Sequence, residues 1–151
     1  MMNKREKIYA KYNGKCAYTG KPLGDDWQID HMFSVSDIYY QAHGHLIRSG
    51  LDPKMYEKEL MAAVKEKANR DENLIPALRI VNQYKRSLDL EGFRERMKTF
   101  HIRLWKLPKN TKVSATVKRI AYMNEVAEAF GITPDKPFDG KFYFEKLEEE
   151  L

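Results

Sequence analysis

An aspartate and a histidine stand side by side at Asp30-His31, and asparagines follow at Asn73 and Asn82, the second three residues before Lys85. These residue types suit the hydrolysis of a phosphate ester. A carboxylate and an amide oxygen can hold a hard divalent cation, a neutral imidazole can take a proton from water, and a lysine can face phosphate. The competing account is a chance dipeptide with two asparagines serving as helix caps, a role in which asparagine is common. Order, spacing and flanking residues together favour the chemical account.

Three pieces of the chain carry a family resemblance: Tyr12-Asn13-Gly14-Lys15-Cys16-Ala17-Tyr18-Thr19-Gly20, Ile29-Asp30-His31, and Asn73-Leu74-Ile75-Pro76-Ala77 running into Asn82-Gln83-Tyr84-Lys85. They resemble the HNH endonucleases, whose core is a ββα-metal fold. A helix beginning Leu90-Glu91-Gly92-Phe93-Arg94 and a terminus like Phe142-Tyr143-Phe144-Glu145 are similar to the phage and prophage branch of that family. The resemblance covers residues 12–31 and 73–85; the stretch between them matches nothing in the family core.

That resemblance implies a role for each residue. His31 is expected as general base, Asp30 and Asn82 as metal ligands, Asn73 as the residue that holds the His31 ring, and Lys85 as a phosphate contact one helical turn beyond Asn82. A histidine titrating near neutrality suits a base, provided its ring is held in one tautomer. The implied cofactor is one divalent ion that binds the scissile phosphate and stabilises the departing 3′ oxygen. Because Asn82 stands where the family often has histidine, the harder amide oxygen favours Mg²⁺ or Mn²⁺ over Zn²⁺. Hydrolysis would leave 5′-phosphate and 3′-hydroxyl ends. The implied partners are DNA and phage packaging proteins, with no membrane, in the cytoplasm of the host cell.

Many HNH proteins also carry two Cys-x-x-Cys pairs around a structural zinc. The corresponding positions here are Cys16, Thr19, Leu78 and Val81. One thiolate cannot close a tetrahedral zinc site, so no structural zinc is expected. Leu78 and Val81, with Ala77 and Tyr84, read as apolar packing in its place. Recruitment of His43, His45 or His101 as substitute ligands has no support in the spacing.

Charge is unevenly spread. The chain of 151 residues has a net charge of +5, with an acidic end at residues 145–151. Residues 94–119 hold nine basic residues (Arg94, Arg96, Lys98, Arg103, Lys106, Lys109, Lys112, Lys118 and Arg119) against the single acid Glu95. Clustered positive charge attracts a phosphate backbone without sequence preference, although an isolated run is more often a solvated helix face. Beside a nuclease-like motif, DNA contact is the favoured reading, with Lys85, Arg86, Arg94, Arg96, Lys98 and Arg103 as the expected contacts. A single cysteine, Cys16, excludes an internal disulfide framework and fits a reducing compartment. There is no apolar run of membrane-spanning length and no phosphate-binding glycine loop or serine or cysteine nucleophile elbow, which removes most rival enzyme classes.

The elements expected to position these groups make a mostly helical α+β fold: a single domain over residues 1–151, built as a ββα core with a helical insertion between the motif strands and C-terminal helices. Residues 3–12 read as a helix capped by Asn3 and Glu6. Strands are expected at Lys15–Tyr18 and Trp27–Phe33. Strict pleating would put Asp30 and His31 on opposite faces, so a strand end, strong twist or bulge is expected there. The insertion, 34–72, reads as a helix near Asp37–Arg48 stopped by Gly50 and a second begun by Asp52-Pro53. His43-Gly44-His45 reads as a surface turn, and Tyr39 and Tyr40 as core rather than DNA contacts. The motif helix is expected over Pro76–Ser87, a helix capped by Asp89 carries Leu90, Phe93, Met97, Phe100 and Leu104, and a last helix over Lys112–Phe130 buries Val113, Val117, Ile120, Ala127 and Phe130. Phe142–Phe144 reads as a short strand or extended clip before a frayed tail.

Two function classes survive. One is a metal-dependent DNA endonuclease or nickase; the other is a catalytically weak or inactive nucleic-acid-binding or phage-assembly accessory protein on the same scaffold.

Overall fold

A computed structural model describes all residues, 1–151. The fold is mostly helical α+β with one small antiparallel sheet. Helix α1 (Lys4–Ala10) begins with the expected capping box between Asn3 and Glu6. Strand β1 is Gln28–His31 and β2 is Leu74–Ala77, paired Gln28 to Ala77 and His31 to Leu74. Helix α4 (Arg79–Lys85) follows β2 directly. The strand expected at Lys15–Tyr18 is instead a turn held by an isolated bridge between Lys15 and Pro22. The partner of β1 is therefore the segment after Asn73, whose last two residues, Pro76 and Ala77, are expected from the sequence in the motif helix.

The insertion lies between β1 and β2 as a helical hairpin, α2 (Val35–Arg48) and α3 (Glu57–Ala68), joined through a 3-10 turn at Pro53–Tyr56. Ser34 and Asp37 form a capping box at the start of α2, which satisfies amide donors that a helix N-terminus leaves open. His43-Gly44-His45 sits inside α2 and does not interrupt it. Good helix formers on either side hold the backbone through one glycine. The hairpin has its own apolar seam of Ile38, Leu60, Val64 and Ala68.

The main core is aromatic. Tyr18, Phe93, Met97, Phe100, Val126 and Phe142 are buried together, with the Tyr18 ring edge-on to Phe93 and Phe142 at 5.3 and 5.2 Å between centroids. Edge-to-face pairs at this spacing add to the value of apolar burial. The expected long helix divides at Thr99 into α5 (Leu90–Lys98) and α6 (Phe100–Trp105). Helix α7 (Ser114–Phe130) ends at Gly131, whose φ of 69° is the left-handed cap that glycine adopts without strain. It buries Met123, Val126, Ala127 and Ala129, whereas Val113 and Val117 are 62% and 47% exposed, because the first turns of α7 project beyond the core. Phe142 caps α8 (Tyr143–Glu149), so the expected clip is helical and most of the acidic end is ordered helix. The Tyr143 and Phe144 amides donate to Tyr18 O and Ala17 O at 3.0 and 2.8 Å, fastening α8 onto the Cys16–Tyr18 turn.

Cys16 is buried, and its sulfur accepts the Leu78 amide at 3.4 Å. Val81 is buried in the same core and Leu78 packs against it, as expected of apolar residues at those positions. No helix is long and apolar enough to cross a membrane.

Candidate functional site

The two faces of β1 divide the site. Alternation puts Gln28 and Asp30 on one face and Ile29 and His31 on the other. The ladder runs without a bulge through His31, so the pleat separates Asp30 from the His31 ring, contrary to the expectation that both would reach one point. His31 is the last residue of the strand, half-buried, and its ring meets the end of α3.

On the Asp30 face, α4 supplies two of the expected residues. Asn82 donates through Nδ2 to Gln28 Oε1 at 2.7 Å, which leaves its Oδ1 without a partner. Lys85 is 1% exposed, and its ammonium lies 3.1 and 3.5 Å from Asp30 Oδ2 and Oδ1 and 3.2 Å from His31 O. Asp30, 7% exposed, also accepts the Tyr18 hydroxyl at 2.5 Å. Burial, then the Asp30 charge and hydrogen bond, push the Tyr18 phenol well above its ordinary value, so it remains a donor. Lys85 therefore faces a carboxylate inside the protein and not a phosphate outside it. A buried ammonium requires such a partner, and Asp30 is the acid that the helical spacing brings within reach.

This arrangement tests the implied metal directly. Asp30 and Asn82 are oxygen donors of the right hardness. Yet the Asp30 charge is already neutralised by Lys85, and a divalent ion on the same carboxylate would stand beside a buried ammonium. As arranged, Asp30 does not fit a metal ligand, and the structure gathers no group of three His, Cys, Asp or Glu side chains suited to hold an ion.

On the opposite face, His31 Nε2 meets Asn69 Oδ1 at 3.0 Å. An acceptor there makes Nε2 the protonated nitrogen and leaves the Nδ1 lone pair as the basic site. The ring partner is thus Asn69 and not Asn73. Asn73 instead accepts the Phe33 amide at 2.8 Å and donates to Phe33 O and Ala68 O, both at 2.9 Å. It clamps the main chain just after His31 to the end of α3. Asn69 acts on the His31 ring, and Asn73 acts on the main chain two residues beyond it.

The expected phosphate contacts divide in the same way. Arg94 is tied to Glu145 through two bonds of 2.7 Å, to Glu91 and to Gly140 O, which removes it from any surface role. The guanidinium pKa is raised by the Glu145 and Glu91 hydrogen bonds, burial opposing them. Lys98 pairs with Glu95 at 3.0 Å, Arg96 lies over the Tyr84 ring, and Arg103 lies over Phe100 and donates to Thr99 Oγ1 at 2.8 Å. Arg86 is exposed and unpaired, as are Lys106, Lys109, Lys112, Lys118 and Arg119.

Tyr18, Gln28 and Asn69 belong to the site although sequence reasoning does not select them. Gln28 is detectable, being two residues before Asp30 on a strand. Asn69 carries only a weak signal, an asparagine where an insertion helix ends. Tyr18 looks like core in the sequence, and its ring is core; only its hydroxyl belongs to the site. Comparison of the chain with protein-family models, with curated proteins and with solved structures found no match.

Proposed function

We propose that this chain is a DNA endonuclease or nickase that hydrolyses phosphodiester bonds with His31 as general base, on an HNH-type ββα core of phage or prophage origin. The observation that carries this reading is the tethering of His31. Its Nε2 is engaged by Asn69, its carbonyl is held by Lys85 and the main chain two residues beyond it is clamped by Asn73, so Nδ1 is offered as a proton acceptor in a set direction. A base held in one tautomer is what abstraction of a proton from water needs. The resulting hydroxide attacks phosphorus, the P–O3′ bond breaks, O3′ takes a proton from solvent water, the proton on His31 passes to solvent, and the products are a 5′-phosphate and a 3′-hydroxyl. The order β1, β2, α4, with Asn82 and Lys85 facing β1, supports the ββα reading.

A divalent ion, Mg²⁺ or Mn²⁺, belongs to the HNH reading, and the pairing of Asp30 with Lys85 speaks against Asp30 as its ligand. The same pairing favours a second reading, an accessory nucleic-acid-binding or phage-assembly protein. An aspartate with no folding role would be lost from an inactive scaffold, but Asp30 here neutralises a buried lysine, so its presence alone does not argue for catalysis. Supercoiled plasmid incubated with Mg²⁺ or Mn²⁺, with and without chelator, beside His31→Ala, separates the two. Nicking or linearisation that His31→Ala loses while still binding DNA supports the nuclease; binding with no cleavage under either metal supports the accessory protein.

A further inference from the structure

The insertion opens a cleft of about 350 Å³ whose lining starts two residues beyond His31 and includes Phe33, Ile38, Gln41, Lys67, Arg70 and Asn73. Its walls begin where the site ends. Phe33 is two residues beyond His31, a span of at most about 7 Å of chain. Arg70 directly follows Asn69, the ring partner. The Asn73 amide is spent on Phe33 and Ala68, so it shapes the floor and reads nothing.

What remains free is a mixed set. Phe33 is 45% exposed and has no aromatic partner. The Gln41 amide and the Lys67 ammonium make no hydrogen bond or ion pair in the protein, while Arg70 pairs with Glu66 at 3.1 Å. The Glu72 carboxylate, also in the cleft, is unpaired as well, and the lining cations Lys67 and Arg70 outnumber it. An open aromatic face, an amide able to donate and accept, and a free ammonium are the groups that stack a base, read its edge and neutralise a phosphate.

We propose that this cleft binds an unpaired nucleotide of single-stranded DNA next to the phosphate presented to His31, an inference that rests on the nuclease reading and names its substrate class. A base held in a duplex cannot enter a concave cleft without leaving its stack, which costs a few kcal/mol. An unpaired base enters without that cost. The insertion between β1 and β2 thereby acquires a role in substrate binding, because it carries two free groups of the cleft, Gln41 on α2 and Lys67 on α3, and Phe33 stands at its root.

The test uses the full chain carrying His31→Ala, so that cleavage does not interfere, and follows the anisotropy of a fluorescein-labelled oligothymidylate 12-mer and of a duplex of the same length. The single strand binds more tightly than the duplex. Adding Phe33→Ala weakens the single strand about tenfold, as expected for loss of one stacking contact, Lys67→Ala weakens it by a smaller factor through loss of one phosphate contact, and each changes duplex binding less than it changes single-strand binding. Unchanged thermal unfolding shows that these exposed positions do not act through folding. Equal losses on both probes, no loss on the single strand, or a preference for duplex overturns the cleft. Plasmid nicking by the unsubstituted chain together with any of those results leaves the nuclease reading standing without the cleft. Selective loss of single-strand binding with no nicking leaves the cleft standing without the nuclease.

Discussion

Lys85→Met removes the ammonium and keeps most of the buried aliphatic stem. Lys85 and Asp30 are 1% and 7% exposed and 3.1 Å apart, and at an effective dielectric of about 20 their attraction is roughly 5 kcal/mol. Desolvation of each ion costs several kcal/mol, so the intact pair contributes little net stability. Removing one partner is different, because the Asp30 carboxyl is left without its cation in a nearly closed site with only the Tyr18 hydroxyl to support it. The expected loss is about 3–5 kcal/mol, read from urea unfolding with an unchanged slope. The double variant Asp30→Asn/Lys85→Met leaves no buried charge and keeps an oxygen for Tyr18, so it is more stable than Lys85→Met alone by at least about 1 kcal/mol. A vacated Asp30 also becomes available to a cation: Mn²⁺ raises the urea midpoint of Lys85→Met and not that of the parent chain, by preferential binding to the folded state. A Lys85→Met loss below about 1 kcal/mol, or a double variant as unstable as the sum of its parts, refutes the reasoning.

Asn69→Ala frees the His31 ring at an exposed position, so nicking falls about tenfold while stability barely changes; unaltered cleavage removes Asn69 from the orienting role. Arg86 has φ 55° and ψ −133°, a region that glycine tolerates and arginine does not. Arg86→Gly is expected to gain about 1 kcal/mol in urea unfolding and to weaken DNA binding, and a destabilised variant would contradict the strain. Burial acts to raise the Glu145 pKa, but the hydrogen bonds from Arg94 and the Phe142 amide outweigh it and hold the carboxyl below its ordinary 4.5. A depressed folded pKa stabilises fully above 4.5 and loses that contribution as pH falls through the folded value. Stability should therefore drop on acidification through that window, with a shallower drop for Arg94→Gln; parallel pH profiles for the two proteins would discount the pair.

How far the site is legible in the sequence depends on the range of the interactions. The caps at Asn3 and Asp89, the glycine end at Gly131 and the apolar stripe from Leu90 to Leu104 are local patterns, and each stands in the structure. His43-Gly44-His45 reads as a turn only if one glycine is weighed above the helix formers around it, and in the structure those neighbours prevail. Val113 and Val117 are exposed although they fit the apolar spacing, because that spacing identifies a face but not how far along a helix the core extends. The strand at Leu74–Ala77 escapes sequence analysis because four apolar residues do not distinguish a buried strand from a helix start until a partner is known.

By itself the sequence determined which chemically capable residues are present, their order along the chain, the capped helices and the basic excess. Only the tertiary structure decided who meets whom. Pairing of β1 with β2 set the pleat that sends Asp30 inward to Lys85 and Tyr18 and His31 outward to Asn69. Residue type says what a side chain can bind, but burial decides what it must bind. A lysine at 1% exposure has to take a nearby carboxylate, whatever else that carboxylate might have held.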